Sequence, residues 1–572
     1  MLKKLFLSIT CFLFVFPLAV SLAQPPPGQQ MSGETRTREL EQESKELRKQ
    51  IDTPKKSPAV KEELPGSQAP LISEEKVTVK KMDVVGATLI PETEINKITA
   101  LILGKEITIT ELQKNVDKIT DLYRNKGYIT SRAYLPPQKI EQGVIEVRIL
   151  EGLMGNVEIK GNRYFKTKLL RNMITLKKNS PFNYEALRKD LVKINQNPDR
   201  LSKAILMPGK ETGTTDILLE VQDKLPIHAG FSWDNFGSRY IDEQRYAVQV
   251  TDNNLLGLDD KLTFQYQLAQ SSRYFLKNVR YLLPVGQQTE MGFIAAFSRV
   301  KLGKEFEDTD ARGKSQVYGL FANRSLIDKE NFDLTLNLGF DYKNIVNYQF
   351  QTVTSHDRLR VAKIGFESDS TDNFGRTLFT YEFDYGIPDM WGGMKAKDIN
   401  ASRSGAGGKF IKNNINLLRL QKMPFSSTLL WKNQIQLSPY ILSAAEQYQL
   451  GGIINVRGYP PAEVVGDKGY SMSWEWSFPP YLVPKNIGVP FSKAKFYDAL
   501  RIVTFYDWGN VHLKRPIAGS EQKNKTLRSA GCGLRFNLPE DFSVRLEFAW
   551  ALDNTPSDSN REHTWVQITK NF

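Results

Sequence analysis

The chain has 572 residues, 40% of them hydrophobic and 25% charged, with a net charge of +13 and only two cysteines. That length exceeds one ordinary domain, and so few cysteines exclude a disulfide-stapled scaffold. The positive charge fits nucleic acid, an anionic membrane surface or a pore rich in basic residues.

The N-terminus narrows this choice. Lys3 and Lys4 precede an apolar run from Leu5 to Val20, and small residues follow at Ser21-Leu22-Ala23. Residues 1–23 read as a secretory signal peptide, which makes a nucleic-acid partner unexpected. Cys11 lies within that run, so the mature chain keeps Cys532 alone. Beyond residue 23 no stretch of 18 apolar residues occurs, so any membrane span must be made by strands of a closed barrel.

Residues 24–33 are rich in Pro, Gly and Gln. ETRTRELEQESKELRKQI, 34–51, reads as one helix that is polar nearly all round, with Glu34–Arg38 and Glu41–Lys45 as i,i+4 pairs. Segment 24–51 is thus an N-terminal tail with one helix. Four prolines in 52–74 predict an extended linker.

A repeat follows. VVGAT at 84–88 and IKGNR at 159–163 each end a short strand, and each precedes two helical patterns and two strands. In the first copy Thr110 is the expected helix cap with Gln113 as its capping-box partner. Leu112, Val116, Ile119 and Leu122 mark the buried face, and Gly127 ends the helix. The strands ITSRAYL and GVIEVRIL follow. In the second copy Asn183 caps a helix carrying Leu187, Leu191 and Ile194, followed by the strands ILM and TDILLEVQ. The expectation is two β-α-α-β-β domains, 75–152 and 153–224.

From 225 the period changes to two. In FDLTLNLGFDY (332–342) Phe332, Leu334, Leu336, Leu338, Phe340 and Tyr342 share one face, opposite Asp333, Thr335, Asn337, Gly339 and Asp341. LTFQYQL (262–268) and VRLEFAW (544–550) alternate likewise, the latter with Arg545 and Glu547 on its polar face. Apolar outside and polar inside is the transmembrane β-barrel pattern, and 225–572 suits about 16 strands of about 10 residues. The fold class is therefore a transmembrane antiparallel β-barrel behind two N-terminal α+β domains.

Catalytic and ligand motifs are wanting. SGAGGKF (404–410) lacks the Ser or Thr that follows the lysine of a phosphate loop. DTDARG (308–313) has Arg312 where a calcium loop needs an acid. His228, His356, His512 and His563 are scattered without metal-ligand spacing, and no nucleophile motif occurs. No catalytic residue, cofactor site or metal site is expected, and the protein reads as a non-enzyme.

Three stretches together carry a resemblance. Val456-Arg457-Gly458-Tyr459 is similar to the loop-6 signature of the BamA-type superfamily, and FYDWG, with Phe505, Asp507 and Gly509, resembles its F-x-D-x-G strand. LYRNKGYITSRAYLPPQ (122–138), leading to VRILEG, resembles the first polypeptide-transport-associated (POTRA) domain of two-partner secretion transporters of the TpsB class, the haemolysin and filamentous haemagglutinin exporters. DNFG at 234–237 and 372–375 fits the same family.

The resemblance implies an outer-membrane pore of a Gram-negative cell with two periplasmic POTRA domains. It would receive an unfolded exoprotein, a haemolysin or adhesin, and pass it to the cell surface. It also implies a helix that plugs the pore, outer-membrane lipid and the barrel assembly machinery as partners, a monomer, and transport driven by folding of cargo outside. A C-terminal aromatic residue such as Phe572 is an assembly signal in many such barrels; Val566 and Ile568 fit its register and Lys570 does not. If the loop bearing Arg457 folds back into the barrel, its guanidinium needs a carboxylate, and Asp507 is the candidate because alternation turns it with Phe505 away from Tyr506 and Trp508. A barrel insertase and a passive porin are the competing functions.

Overall fold

The computed structural model describes residues 60–62, 75–140, 142–329, 331–490, 492–517, 521–539 and 542–572. The signal segment, the 34–51 helix and all of the linker but 60–62 lie outside them. The described chain forms two compact units, an N-terminal unit (55–226 with 256–259) and a barrel unit (227–255 and 260–572).

The N-terminal unit contains β1 (Val60–Glu62), β2 (Lys76–Thr78), β3 (Lys81–Val85), β4 (Glu106–Thr108), β5 (Arg132–Tyr134), β6 (Val144–Leu150), β7 (Leu153–Lys160), β8 (Arg200–Pro208) and β9 (Thr214–Asp223). The repeat is real in three dimensions. In the first domain β3 lies parallel to β6, and β5 pairs antiparallel on the other side of β6. In the second, β7, β9 and β8 repeat that arrangement. Helices Glu92–Thr99 and Ile109–Asn125 cover the first sheet, and Thr167–Met173 and Tyr184–Ile194 the second. Each domain has its own apolar core: Val116, Ile119, Tyr123, Ile145 and Val147 in one, Leu170, Phe182, Leu187, Leu191 and Leu219 in the other.

The repeated glycines explain the repeated motif. Gly86 and Gly161 both have φ near +90° (93° and 88°), and a Cβ there would lie 2.5 Å from the Ile149 carbonyl oxygen and 2.4 Å from that of Val221. Only glycine fits a left-handed turn pressed against the central strand. An acid at the end of each central strand then closes the turn. Glu151 accepts from the Thr88 and Leu89 N–H groups (2.7 and 2.8 Å) and from the Tyr123 hydroxyl (2.8 Å). Asp223 accepts from the N–H groups of Arg163, Tyr164 and Phe165.

Three local expectations need correction. The cap of helix Ile109–Asn125 is Thr108, not Thr110, and its capping-box partner is Glu111, not Gln113. On its buried face Tyr123 is fully enclosed, while Leu122 is only half-buried. Within the linker, Val60–Glu62 add to the second sheet as β1, parallel to Ala204–Leu206 of β8. Asn183 caps its helix as expected, accepting from the Ala186 N–H at 3.0 Å.

The barrel strands are β10 (Ile227–Asp234), β11 (Arg245–Asp252), β12 (Lys261–Ala269), β13 (Tyr274–Pro284), β14 (Thr289–Lys301), β15 (Arg312–Lys329), β16 (Phe332–Gln349), β17 (Thr352–Asp372), β18 (Gly375–Gly386), β19 (Phe410–Met423) and β20 (Ser427–Leu437). After the short pair β21 (Tyr448–Leu450) and β22 (Val464–Gly466) come β23 (Lys468–Phe478), β24 (Leu500–His512), β25 (Asn524–Leu538), β26 (Phe542–Ala551) and β27 (Glu562–Asn571). The barrel has 16 strands, β21 and β22 standing apart from it, and β27 closes it antiparallel on β10. A closed ring leaves no open edge, which a backbone in lipid requires.

The period-two pattern sorts the wall. Phe264, Leu338, Trp476, Phe548 and Trp550 are exposed on its outer face. Gln267, Asn414, Ser473, Asp507 and Glu547 are buried on the inner one. Three strands are by far the longest and well above the ten residues expected: β15 and β16 have 18 each and β17 has 21. About 9–11 residues cross a bilayer, so this part of the wall stands well beyond the apolar slab.

Candidate functional site

The connection between β20 and β23, residues 438–467, lies against the inner face of the barrel wall. Its stem is the antiparallel pair β21–β22, with Tyr448 opposite Gly466 and Leu450 opposite Val464. Two consecutive glycines, Gly451 and Gly452 (φ 115° and 89°), turn the chain at its far end. Asn455 stiffens the tip: its Oδ1 accepts from the Gly451 and Val456 N–H groups (2.8 Å each) and its Nδ2 donates to the Gln449 carbonyl (2.9 Å). At the root, Asp467 accepts from the N–H groups of Leu442 and Lys514 (2.7 Å each) and from Arg403 at 2.6 Å, which ties this loop to two neighbours.

The tip carries Arg457, of which 2% is exposed. Nε and Nη2 donate to the two oxygens of Asp507 at 2.9 and 2.8 Å. Nη1 donates to Glu475 and to Glu547, both at 3.1 Å, and Nη2 also to the Ser473 hydroxyl at 3.0 Å. A guanidinium has five N–H groups, and here every one has an acceptor on the wall. Its flat face lies 3.4 Å from the Phe505 ring centroid, a cation–π contact strengthened by the burial of both groups. The backbone is held too: the Arg457 N–H donates to Asp507 at 3.1 Å and its carbonyl accepts from the Trp565 indole at 2.8 Å.

Strand register assembles the acceptors. Asp507 on β24 stands opposite Ser473 on β23 and Ser529 on β25, and both hydroxyls donate to it, at 2.7 and 3.1 Å. Two positions along β23, Glu475 faces Phe505. Arg535 of β25 reaches Glu475 at 2.6 Å and Glu547 at 2.5 Å, and Arg545 of β26 reaches Glu547 at 2.8 Å. The cluster therefore joins three guanidiniums to three carboxylates and is neutral as a whole. That neutrality matters, because an unpaired charge withdrawn from water is far more costly than a paired one.

The neighbours of Arg457 shape the fit. A Cβ on Gly458 would lie 2.7 Å from the Ala551 nitrogen and the Trp550 carbonyl carbon, and 2.8 Å from Ser529 Cβ. The chain thus passes flush against β26. Gly509 admits Leu450, whose Cδ1 would be 2.3 Å from a Cβ there. Val456 and Tyr459 are buried with Leu450, Val511 and Leu527, and the Tyr459 hydroxyl accepts from the Asp553 N–H at 3.3 Å.

Val456, Arg457, Gly458 and Tyr459 on the loop thus meet Phe505, Asp507 and Gly509 on one strand. Phe572 is apart from this group: it is 74% exposed, and its N–H donates to the Ala229 carbonyl at 2.7 Å. Glu475, Arg535, Ser473 and Ser529 were not anticipated. Alternation marks them as inner-face residues, but only the stagger between strands shows that they share a level with Asp507.

Comparisons with known proteins agree with this architecture. The family described as haemolysin secretion/activation protein ShlB/FhaC/HecB matches residues 213–536, and a ShlB-type POTRA domain matches 77–152. The heme/hemopexin transporter protein HuxB of Haemophilus influenzae strain 86-028NP is 25% identical over 97% of this chain and 96% of its own. The hemolysin transporter protein ShlB of Serratia marcescens is 24% identical over 67% of this chain and 69% of its own. Among solved structures, CdiB from Escherichia coli superposes with a TM-score of 0.72 at 21% identity, covering 96% of this chain and all of that one. With more than half its length matched, the chain belongs to the ShlB/FhaC/HecB family of haemolysin secretion/activation proteins.

Proposed function

We propose that this barrel exports a partner exoprotein, and that loop 438–467 is its gate, with Arg457 and Asp507 as the lock. Family membership carries the general activity, two-partner secretion through an outer-membrane β-barrel. The gate reading rests on one observation: all five guanidinium N–H groups of a loop residue are satisfied by the barrel wall. A pair so thoroughly desolvated and bonded holds the loop firmly, yet it can be exchanged for water when the loop is drawn out.

In this reading the POTRA domains lie in the periplasm and gather the unfolded chain. Strand addition suits that task, since main-chain hydrogen bonds bind an extended segment with little regard to sequence. The second sheet already accepts such a segment, Val60–Glu62, on β8. The partner is a large secreted exoprotein of the kind the relatives' names describe; outer-membrane lipid covers the exposed belt. Phe572 is the end recognised by the barrel assembly machinery. The pore acts as a monomer and catalyses no covalent step.

The test is export of the partner by Arg457→Ala and Asp507→Ala variants whose heat-modifiable migration demonstrates an assembled barrel. Both are expected to secrete less. Wild-type export by both would remove the lock.

A further inference from the structure

The hairpin that carries Arg457 makes a second ionic contact, and its sign is reversed. Before β21 the loop forms a single 3-10 turn, Ala444–Glu446, and Glu446 is 2% exposed. One carboxylate oxygen accepts from Lys343 of β16 at 2.7 Å and the other from Lys412 of β19 at 2.5 Å. The Glu446 carbonyl accepts from the Gln436 side chain at 2.9 Å. Lys412 is balanced in turn by Asp384 of β18 at 3.2 Å, and Lys343 by Asp341 at 3.6 Å.

Packing alone does not call for these charges. Apolar residues of the same size usually stabilise a buried site at least as well as an ion pair does, and the best-attested use of a buried pair is to fix one arrangement against another. Here the arrangement it fixes is evident from the ring order. Lys343 and Lys412, which hold Glu446, lie on the seventh and tenth barrel strands, whereas Glu475, Asp507 and Glu547, which receive Arg457, lie on the twelfth, thirteenth and fifteenth. The stretch of wall that grips Glu446 therefore does not overlap the stretch that receives Arg457. One loop is thus pinned at two separate places on the wall, by its acid at one and its base at the other.

We propose that Glu446 is a second latch of the gate, a positioning residue that holds the loop to the wall at β16 and β19 independently of Arg457. Release of the lock alone leaves the loop tethered to β16 and β19; release of both frees the lumen. The inference rests on the gate reading above, and its test separates the two. The full chain is reconstituted in planar bilayers and the frequency of pore opening is recorded for Arg457→Ala, Glu446→Gln, Lys412→Met and their combinations, each first checked for heat-modifiable migration.

Glu446→Gln raises opening by about a hundredfold or more, the scale expected when one partner of a buried pair is lost. Lys412→Met raises it as well, and adding it to Glu446→Gln gives no further increase, since both break one tether. Glu446→Gln with Arg457→Ala opens far more often than either single variant. If Glu446→Gln fails to assemble, the uncharged replacement Glu446→Leu/Lys343→Met/Lys412→Met is measured in its place with the same expectation. A double variant no more open than Arg457→Ala would overturn the latch and leave the lock intact. Opening that responds to Glu446→Gln but never to Arg457→Ala would uphold the latch and overturn the lock.

Discussion

The N-terminal domains and the barrel are held together by opposite means. Each domain encloses an apolar core, with Leu187 and Leu191 or Val116 and Ile119 at its centre, and leaves most of its charge in water. The barrel turns an apolar belt outward and, beside a few buried apolar clusters, stitches its interior with carboxylates, guanidiniums, ammoniums and hydroxyls. A domain core resists change because it is dense and undirected. A lumen bonded through directional ion pairs has discrete partners that can be exchanged, as the proposed gate requires.

That contrast predicts unequal responses to substitution. The largest follows from Asp507→Ala, which takes from Arg457 its two-oxygen partner. Breaking a buried pair from one side costs about 3–5 kcal/mol, read as a lower temperature for the loss of heat-modifiable migration, with the N-terminal domains unaffected. Leu187→Ala reverses the pattern. It opens a cavity in the second domain for about 2–5 kcal/mol, seen as a lower urea midpoint for that domain while the barrel transition stays in place.

A smaller effect comes from Thr108→Ala, which removes the capping hydroxyl at 3.2 Å from the Glu111 N–H. A loss of about 1 kcal/mol is expected in the first domain alone. The last prediction concerns acid. Burial pushes the Glu151 carboxyl up, but the Thr88 hydroxyl, the Thr88 and Leu89 N–H groups and the Tyr123 hydroxyl outweigh it and hold it below the usual carboxylate range. Such a group stabilises the fold at neutral pH, and that contribution disappears as pH falls through its lowered value. Thermal melts of the first domain should therefore weaken on acidification, and Glu151→Gln should flatten that dependence. An unchanged slope would assign the acid sensitivity to other carboxylates.

Much of this design can be read from residue order. Alternation over 332–342 and 544–550 exposes the two faces of the wall, and the recurrence of a glycine before a short polar turn reveals the doubled domain. Other features need the third dimension. Thr108–Glu111 and Thr110–Gln113 both satisfy the capping-box spacing, and the extended backbone at Thr108 (φ −76°, ψ 155°) decides between them. Tyr123 displaces Leu122 from the core because its hydroxyl can reach Glu151. Glu446 follows two alanines in a loop with no periodicity, so nothing in its setting signals a role. The length of β15 to β17 is hidden as well, since alternation simply continues past the membrane boundary.

On the gate reading proposed above, the two ionic anchors of loop 438–467 have one further consequence, for the character of the conduit once the loop has left. Withdrawal takes Arg457 from the wall at β24 and Glu446 from the wall at β16 and β19. The first arc becomes more negative by one elementary charge and the second more positive by one. On that reading the passage is zwitterionic, with an acidic stretch of wall and a basic one, and offers a travelling polypeptide weak complementary contacts for side chains of either sign without a site deep enough to detain it.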